Sequence, residues 1–289
     1  LKYKNQNTLA SYVSTISKFQ SYARPKIGPQ ITFKSITPAH IDGFESFLGE
    51  AGNRKSTISQ RMGMLKTIFT RAKILSHCPQ SHDPFIAYSR PRSESQPKTI
   101  LSVKEMNQLV TANLEHDSEM KLARDLFHFS FLCYGMRFSD VVQLEPKNVT
   151  SDAIHYQVTK TKQRKRIKLR AQAKRIISEY QSQRTGKFIF PPLNRLPGRG
   201  RTDPSALINR ANGRVNKQLS LLMNLLDIDE HLTFHCTRHI FTARAMGAGF
   251  DLWKIQDALG HLHPTTTERY AKQWKVSPVD EEMDILFSN

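Results

Sequence analysis

The sequence is poor in cysteine and has no long apolar run, and both absences narrow the class of protein. The three cysteines stand at positions Cys78, Cys133 and Cys236. An odd, scattered set does not build a disulfide framework, which favours a reducing compartment. No stretch approaches the roughly 20 apolar residues needed to cross a bilayer, and the polar residues 1–7 contain no apolar segment of a signal peptide. We therefore expect a soluble protein of the cytoplasm.

Acidic side chains are also scarce relative to basic ones. There are 25 Asp and Glu against 43 Lys and Arg, which gives a formal net charge of +18. Phosphates are the commonest partner of so basic a surface, because Lys and Arg release condensed counterions when they bind them. No long basic amphipathic helix stands out, so we expect nucleic acid rather than a membrane surface as the partner.

The length and one polar segment predict two domains. A chain of 289 residues exceeds the size at which single cores usually stop growing. Residues 89–98 are polar, carry two prolines and show no apolar period, which is typical of a linker. We therefore expect an N-terminal domain in residues 1–88 and a C-terminal domain in residues 99–289.

Residues 1–88 show helical periodicity throughout. Three helices are expected, carrying Leu9, Tyr12, Ile16 and Phe19, then Ile41, Phe44 and Phe47, then Ile58, Met62, Leu65, Ile68 and Phe69. Thr37 before Pro38 is expected to cap the second helix, and Ser56 the third. Basic residues surround the third helix, and the candidate DNA contacts among them are Arg54, Lys55, Arg61 and Lys66. A solvated charged face is the alternative reading of this cluster.

Residues 99–289 have a mixed pattern, so we expect a mainly α protein with a small β-sheet. Helices are expected from Ser102 and over residues 122–131, 205–226, 237–246, 251–259 and 264–274. A hairpin is expected from residues 154–158 and 167–169, with a further short strand at 187–190. Residues 191–204 contain four prolines and are expected to form a loop.

Arg137 is the first candidate site residue. Gly135 is expected to end one helix, and Ser139 with Gln143 forms a capping-box pattern for the next. Arg137 therefore lies at a helix junction, where its planar guanidinium can hold a phosphate. The alternative is that it only caps the carbonyls of the preceding helix.

The tip of the expected hairpin is strongly basic. It contains Lys160, Lys162 and Arg164. A lysine on such a tip can enter a groove of DNA and donate a proton or a hydrogen bond. A solvated turn is the commoner fate of such runs.

His235 and Arg238 are three residues apart at the start of an expected helix. Both side chains can therefore point to one place, and helix N-termini favour anions. The neighbouring Cys236 raises the question of zinc, but no second pair of ligands stands at finger spacing. The pattern favours phosphate over metal.

His261 and Tyr270 follow near the C-terminus. Gly260 closes a helix and places His261 at the turn, although a lone histidine is more often structural. A capping-box pattern at Thr265 and Glu268 puts Tyr270 in the second turn of a short helix, where aromatic residues usually belong to the core. Tyrosine is a poor nucleophile while its pKa is near 10, so it needs nearby cations.

These groups together provide the chemistry of phosphodiester cleavage. The reaction needs a nucleophile, cations on the non-bridging oxygens and an acid for the leaving oxygen. Tyr270 can be the nucleophile, Arg137 and Arg238 the cations, and a lysine or histidine the acid. Neither a metal nor another cofactor is required.

The ordered set resembles the tyrosine recombinase (phage integrase) family. The motifs are Gly135-Met-Arg137 with Asp140, a hairpin lysine, His235 with Arg238, Leu259-Gly260-His261, and Tyr270 nine residues after His261. The resemblance implies an N-terminal helical core-binding (SAM-like) domain and a C-terminal mixed α/β catalytic domain. It covers nearly the whole chain, although many members carry a further N-terminal arm-binding domain.

The resemblance also implies a role for each residue. Tyr270 attacks the scissile phosphate to give a 3′-phosphotyrosyl link, and Arg137 and Arg238 hold that phosphate. Lys160 is the acid toward the 5′-oxygen, while His235 and His261 assist proton transfer. Asp140 orients the other site residues and does not itself contact DNA. These roles imply double-stranded DNA as partner and a homotetramer on DNA, formed from a protein that is a monomer when free.

Two departures and two alternatives remain open at this point. Thr237 stands where the family is commonly apolar, and Lys162 competes with Lys160 for the acid role, although Lys160 fits the register against Leu169 better. A type IB topoisomerase shares this chemistry without exchanging strands. A DNA-binding protein on the same fold would lack catalysis. The target sequence and the biological role, whether phage integration, element transfer or chromosome resolution, do not follow from the residues.

Overall fold

The computed structural model describes residues 6–91, 98–194 and 203–260. The chain forms two compact units, residues 1–96 and 97–289. The division between them falls inside the segment expected to be a linker, whose limits at 89 and 98 remain a prediction. His261, Tyr270, the expected helix 264–274 and residues 276–289 lie outside the described residues.

The first unit is built from three helices, as predicted. They are α1 (Gln6–Ile27), α2 (Pro38–Glu50) and α3 (Lys55–Ile74), with a 3-10 turn at Phe33–Ser35. Phe19, Phe44, Met62 and Phe69 lie in one core because their helical spacing turns them to the same side. Thr37 is the N-cap of α2 with Pro38 at the first helical position, which confirms that part of the prediction.

The cap predicted for α3 is wrong. Arg54, not Ser56, is the N-cap, and its side chain makes no capping hydrogen bond. The backbone N–H groups of Thr57 and Ile58 both donate to the carbonyl of Arg54, at 2.9 and 3.0 Å. Ser56 therefore lies inside the first turn, and a serine near a helix start is not sufficient to locate the cap.

The second unit is mainly helical with one small sheet. Its helices are α4 (Val103–Thr111), α5 (Ser118–Leu132), α6 (Phe138–Val141), α7 (Ala171–Ser182), α8 (Pro191–Asn194), α9 (Pro204–Leu225), α10 (Cys236–Gly247) and α11 (Leu252–Leu259). A 3-10 turn at Pro146–Asn148 precedes β1 (Ala153–Gln157) and β2 (Arg164–Lys168), which pair antiparallel. The expected fold class is confirmed. Among the described residues, no helix is long and apolar enough to traverse a bilayer.

The α5 helix lies at the centre of this unit. Leu126, Phe127 and Phe129 are fully buried, since α5 packs against three helices, α7, α9 and α10. The ring of Phe127 meets Phe234 edge-on at a centroid distance of 6.5 Å, just before α10 begins. The buried helix thereby fixes the position of α10, which carries Arg238.

Three local predictions in this unit need correction. Residues 187–190 do not form a strand. Ile189 donates one backbone hydrogen bond to Leu144, at 2.8 Å, and its apolar pattern reflects burial rather than sheet pairing. Ser139 is not a cap, because α6 begins at Phe138 with Arg137 as its N-cap. The segment 191–204 opens with the short helix α8 rather than a loop, because its two leading prolines suit a first helical turn.

Candidate active site

Arg238 joins three elements of the second unit. It lies in the first turn of α10 and is buried, with 4% of its surface exposed. Its Nη1 donates to the carbonyl oxygen of Gly135 at 2.7 Å, and its Nη2 donates to that of Leu259 at 2.8 Å. A buried guanidinium requires such partners. These bonds fix the side chain between the turn after α5 and the end of α11.

Gly135 permits this close approach. Its φ is +66°, a conformation that side chains with a Cβ rarely adopt. A Cβ placed there would lie 2.8 Å from the Cα of Arg238 and 3.1 Å from its Cγ. The glycine is therefore needed twice, for the turn that ends α5 and for the contact with α10.

A short polar network links the same two segments. Thr237 Oγ1 donates to the carbonyl of Phe234 at 2.8 Å and accepts from Ser130 Oγ at 2.9 Å. Ser130 Oγ also lies 2.7 Å from the carbonyl oxygen of Met136. Thr237 is fully buried, yet its hydroxyl has both partners. The polar residue at this position thus connects α10 to the turn that carries Arg137.

Arg137 stands at the junction predicted for it. It is half-buried as the N-cap of α6. Within residues 6–91, 98–194 and 203–260, no carbonyl or carboxylate accepts a hydrogen bond from its guanidinium. The alternative role as a cap of helix carbonyls therefore finds no acceptor in the described part of the chain.

Asp140 positions the base of the hairpin tip. The side chain is 4% exposed, and its Oδ1 accepts from the backbone N–H of Thr159 at 2.9 Å. Gln143 Nε2 also donates to Thr159 Oγ1, at 3.3 Å. Thr159 directly precedes Lys160, so Asp140 on α6 and Gln143, two residues after α6, hold the residue from which Lys160 extends.

Lys160 and Lys162 both belong to the turn between β1 and β2. The strands end at the pair Gln157 and Arg164, and Val158 exchanges backbone hydrogen bonds of 2.8 Å with Gln163 and Lys162. Lys162 has a left-handed φ of +60°. Both lysines and Arg164 are exposed.

His235 is neutral at physiological pH. Burial, followed by the positive charges of Arg238, Arg137, Lys98 and Lys160, lowers its pKa to about 4. Its ring meets that of His239 edge-on, with centroids 4.9 Å apart. The pKa of His239 is also lowered to about 4, mainly by burial. The two arginines, Lys160 and His235 thus share one electropositive region, and a neutral imidazole there offers one hydrogen-bond donor and one acceptor.

Tyr156 is a neighbour of this region that the sequence pattern did not single out. It lies on β1, partly buried against the core of the second unit. Burial raises the pKa of its phenol, Asp140 raises it further, and Arg238 and Arg137 oppose the rise. A phenol that stays protonated is a hydrogen-bond donor rather than a nucleophile. In the sequence, Tyr156 is part of the expected strand 154–158, and that pattern alone gives no sign of its proximity to Arg137 and Arg238.

The candidate DNA contacts of the first unit fall into two groups. Arg54, Lys55 and Lys66 are exposed on or beside α3. Arg61 is half-buried, and its Nη1 donates to Ser14 Oγ at 3.3 Å. Arg61 therefore also ties α3 to α1, and the role of all four in binding DNA remains a prediction.

Gly260 closes α11 as predicted. It adopts the left-handed conformation with φ +64°, and its N–H donates to the carbonyl of Asp257 at 2.9 Å. The described residues end here, immediately before His261. Among the described residues, Arg137, Arg238, His235 and Lys160 therefore share one electropositive region, and Arg238 contacts the end of α11.

The chain matches two family profiles over most of its length. The profile of the Phage integrase family matches residues 99–275, and that of the Phage integrase SAM-like domain matches residues 1–88. The first match alone covers more than half of the 289 residues.

Similar curated proteins are bacterial recombinases of comparable length. The chain is 25% identical over 288 residues to "Tyrosine recombinase XerC" of Syntrophus aciditrophicus (strain SB), covering 91% of this chain and 86% of that protein. It is 22% identical over 272 residues to "Tyrosine recombinase XerD" of Oceanobacillus iheyensis, covering 92% and 87%.

Solved structures share the fold at lower identity. A lambda integrase dimer bound to a COC′ core site superposes with a TM-score of 0.73 at 16% identity, covering 96% of this chain and 92% of that one. The Tn1549 transposon integrase in complex with transposon right end DNA gives 0.72 at 16%, covering 99% and 95%. A lambda integrase tetramer bound to a Holliday junction gives 0.69 at 17%, covering 91% and 74%.

Proposed function

Because this chain belongs to the phage integrase family, we propose that it is a site-specific recombinase that cuts and rejoins DNA through Tyr270. The observation that carries the proposal is the arrangement around Arg238. Its guanidinium is held by the carbonyls of Gly135 and Leu259, in the same electropositive region as Arg137, Lys160 and a neutral His235. Such a region fits one phosphate group.

In the proposed first step, the Tyr270 oxygen attacks the scissile phosphorus. A new bond forms between that oxygen and phosphorus, and the bond from phosphorus to the 5′-oxygen breaks. The phenolic proton passes to a neutral imidazole, and the family motif offers His235 and His261 for this role; the low pKa of His235 keeps its ring neutral before the reaction. Lys160 gives a proton to the leaving 5′-oxygen. Rejoining is the reverse reaction with a different 5′-hydroxyl.

The two arginines supply the charge that many phosphoryl-transfer enzymes take from metal ions. A guanidinium donates two parallel hydrogen bonds to non-bridging oxygens, and a fixed donor needs no rearrangement when charge develops. Arg238 is already fixed by its two carbonyl partners. We therefore expect cleavage to proceed at the full rate in EDTA. A strict requirement for magnesium would exclude this mechanism.

Double-stranded DNA is the proposed partner, and a homotetramer on two duplexes the proposed assembly. The net charge of +18 supports the first, and the likeness to a lambda integrase tetramer bound to a Holliday junction supports the second. Residues 276–289 are predicted to form an apolar helical face, with Val279, Met283 and Phe287, that packs on a neighbouring subunit. Such head-to-tail contacts close a ring. We place the protein in the cytoplasm, on its DNA.

Covalent capture on DNA tests this function without a known target. The protein is incubated with fragmented genomic DNA in EDTA, and fragments that stay bound in detergent are sequenced. A nicked duplex carrying the recovered site then traps the intermediate, because the short strand beyond the nick diffuses away. We expect a detergent-stable adduct with the wild type and none with Tyr270→Phe, which should still bind the site. An adduct formed by Tyr270→Phe would refute the proposal.

The same site distinguishes recombination from its alternatives. Two duplexes carrying the site should exchange strands, whereas a topoisomerase would relax a supercoiled plasmid and give no exchange. A DNA-binding protein without catalysis would give neither product and no adduct. The proposal requires exchange.

A further inference from the structure

Lys165 differs from the other basic residues of the hairpin because most of its side chain is covered by the protein. Only 11% of that side chain is exposed, whereas Arg164, Arg166 and Lys168 on the same strand are exposed. Along a strand, alternate residues face opposite sides. Lys165 and the buried Ile167 therefore face inward and the others face outward. An ammonium group is rarely buried without partners, so its contacts are informative.

The partners of Lys165 belong to the last turn of α11. Its Nζ donates to the backbone carbonyl of Asp257 and lies 3.0 Å from Asp257 Oδ1. The Asp257 side chain is 90% exposed, so solvent screens the ion pair. The carbonyl bond is the more durable contact, because the last carbonyls of a helix lack partners within it and carry partial negative charge.

A second cation holds the same helix end from another direction. Arg238, on α10, donates to the carbonyl of Leu259 at 2.8 Å. Gly260 then turns the chain in the left-handed conformation, and its N–H donates to the same Asp257 carbonyl that Lys165 contacts. A Cβ on Gly260 would lie 3.3 Å from Lys165 Cε. Lys165 thus packs directly against the turn that leads to His261.

The other end of this connection is the hairpin tip. Lys165 pairs with Tyr156 across the two strands, and it follows Lys160 by five residues. The hairpin tip is itself held by Asp140, through the N–H of Thr159. A shift of β2 relative to α11 would therefore move Lys160 relative to Gly260 and the end of α11.

We propose that Lys165 is a positioning residue that fastens the end of α11 to the hairpin, and so couples the segment leading to Tyr270 to the proposed acid Lys160. The inference rests on the proposed function. It assigns Lys165 no contact with the reacting atoms. One consequence is specific: loss of this contact should misplace the nucleophile as well as the acid.

Lys168 provides the matched control. It stands three residues further along β2 on the outward face, and it is exposed. Lys165→Met and Lys168→Met each remove one positive charge from the same strand, so any general loss of affinity for DNA should be equal. Adduct formation is measured in single turnover at saturating DNA. We expect Lys165→Met to be at least about tenfold slower than wild type and Lys168→Met to stay within about twofold, since small misplacements in an active site reduce rates steeply.

A 5′-phosphorothiolate substrate separates the acid from the nucleophile. Its sulfur leaves without a proton, so Lys160→Ala should regain most of its lost rate. Lys165→Met should keep a defect of at least about threefold on this substrate, because a leaving group that needs no proton does not correct the position of the nucleophile. Lys165→Arg should recover most of the rate, since its guanidinium can still donate to the Asp257 carbonyl. Full rescue of Lys165→Met by sulfur would overturn the coupling, as would a rate equal to that of Lys168→Met.

Two further measurements test the contact of Lys165 with α11 in cases where the rates cannot. One applies if the wild type forms no adduct, and the other if Lys165→Met does not fold. If the wild type forms no adduct, the proposed function fails, but hydrogen exchange at the amide of Gly260 still reports on the contact. Faster exchange in Lys165→Met than in Lys168→Met is expected, and equal exchange would refute the proposed contact.

If Lys165→Met does not fold, Gly260→Ala is compared with Gly249→Ala. Both positions have positive φ, but only at Gly260 does a Cβ meet Lys165, so only Gly260→Ala should slow cleavage strongly.

Discussion

Replacing Gly135 by alanine tests whether the close packing of the turn against α10 positions Arg238. The new Cβ would lie 2.8 Å from the Cα of Arg238, so the two backbones must separate by about 0.6 Å to reach ordinary contact near 3.4 Å. The substitution also places a Cβ in a left-handed conformation, which costs about 1–2 kcal/mol. Overpacking against a backbone adds about 1–3 kcal/mol. We expect a total loss of about 2–5 kcal/mol in the free energy of unfolding.

Gly135→Ala should slow catalysis more than the conformational strain of the new alanine would by itself. A displacement near 1 Å can slow a reaction about 100-fold, and Arg238 would shift relative to the carbonyl of Gly135 that it contacts. We expect adduct formation to slow about 10- to 100-fold, with little change in the dissociation constant for DNA. Rates are measured in single turnover well below the melting temperature of the variant.

Gly249→Ala is the matched control for this prediction. Gly249 has φ +74° and no atom within 4 Å of a Cβ built there. This variant should show only the conformational cost of about 1–2 kcal/mol and nearly normal cleavage. If Gly135→Ala cleaves at the rate of Gly249→Ala, the contact with Arg238 does not position the arginine and the reasoning is wrong.

Three other predictions concern the acid, the histidine and the tail. Lys160→Ala should slow cleavage about 100-fold or more, and Lys162→Ala much less; a larger defect at Lys162 in the same single-turnover assay would transfer the acid role. Because the pKa of His235 is about 4 in the folded chain against 6.5 normally, the unfolded chain binds a proton between these values that the folded chain does not. The free energy of unfolding should therefore decrease as the pH falls from about 6.5 to 4, and less so in His235→Gln; identical pH profiles in denaturant titrations would contradict this. Deleting residues 279–289 should leave binding to a single site intact and abolish synaptic complexes in gel-shift assays; undiminished strand exchange would show that the tail does not act between subunits.

The elements best predicted from the sequence are those whose signals are local. The helical spacing of Ile41, Phe44 and Phe47 predicted α2, and Thr37 with Pro38 predicted its start. Gly135 and Gly260 predicted turns because a positive φ favours glycine wherever it occurs. Local signals were misleading where a tertiary contact decides the outcome, as with the buried Ile189, which the pattern assigned to a strand.

The site was predictable as a set of residues, whereas their contacts were not. Arg238 and His235 stood out through their spacing and their place at a helix start. The carbonyls that hold Arg238 belong to Gly135 and Leu259, which are 103 and 21 residues away in the chain. Lys165 resembled every other cation of the hairpin, since a charge run gives no sign of which member is buried. Such facts depend on how α10, α11 and the hairpin pack together.

The central claim is that Tyr270 is the nucleophile, and the covalent adduct tests it most directly. The adduct trapped on the nicked site is digested with protease and nuclease, and the peptide that retains a nucleotide is identified by mass spectrometry. The account predicts a phosphodiester link to the hydroxyl of Tyr270 and to the 3′ end of the cut strand. A link to Tyr156, to any other residue, or to the 5′ end would contradict it.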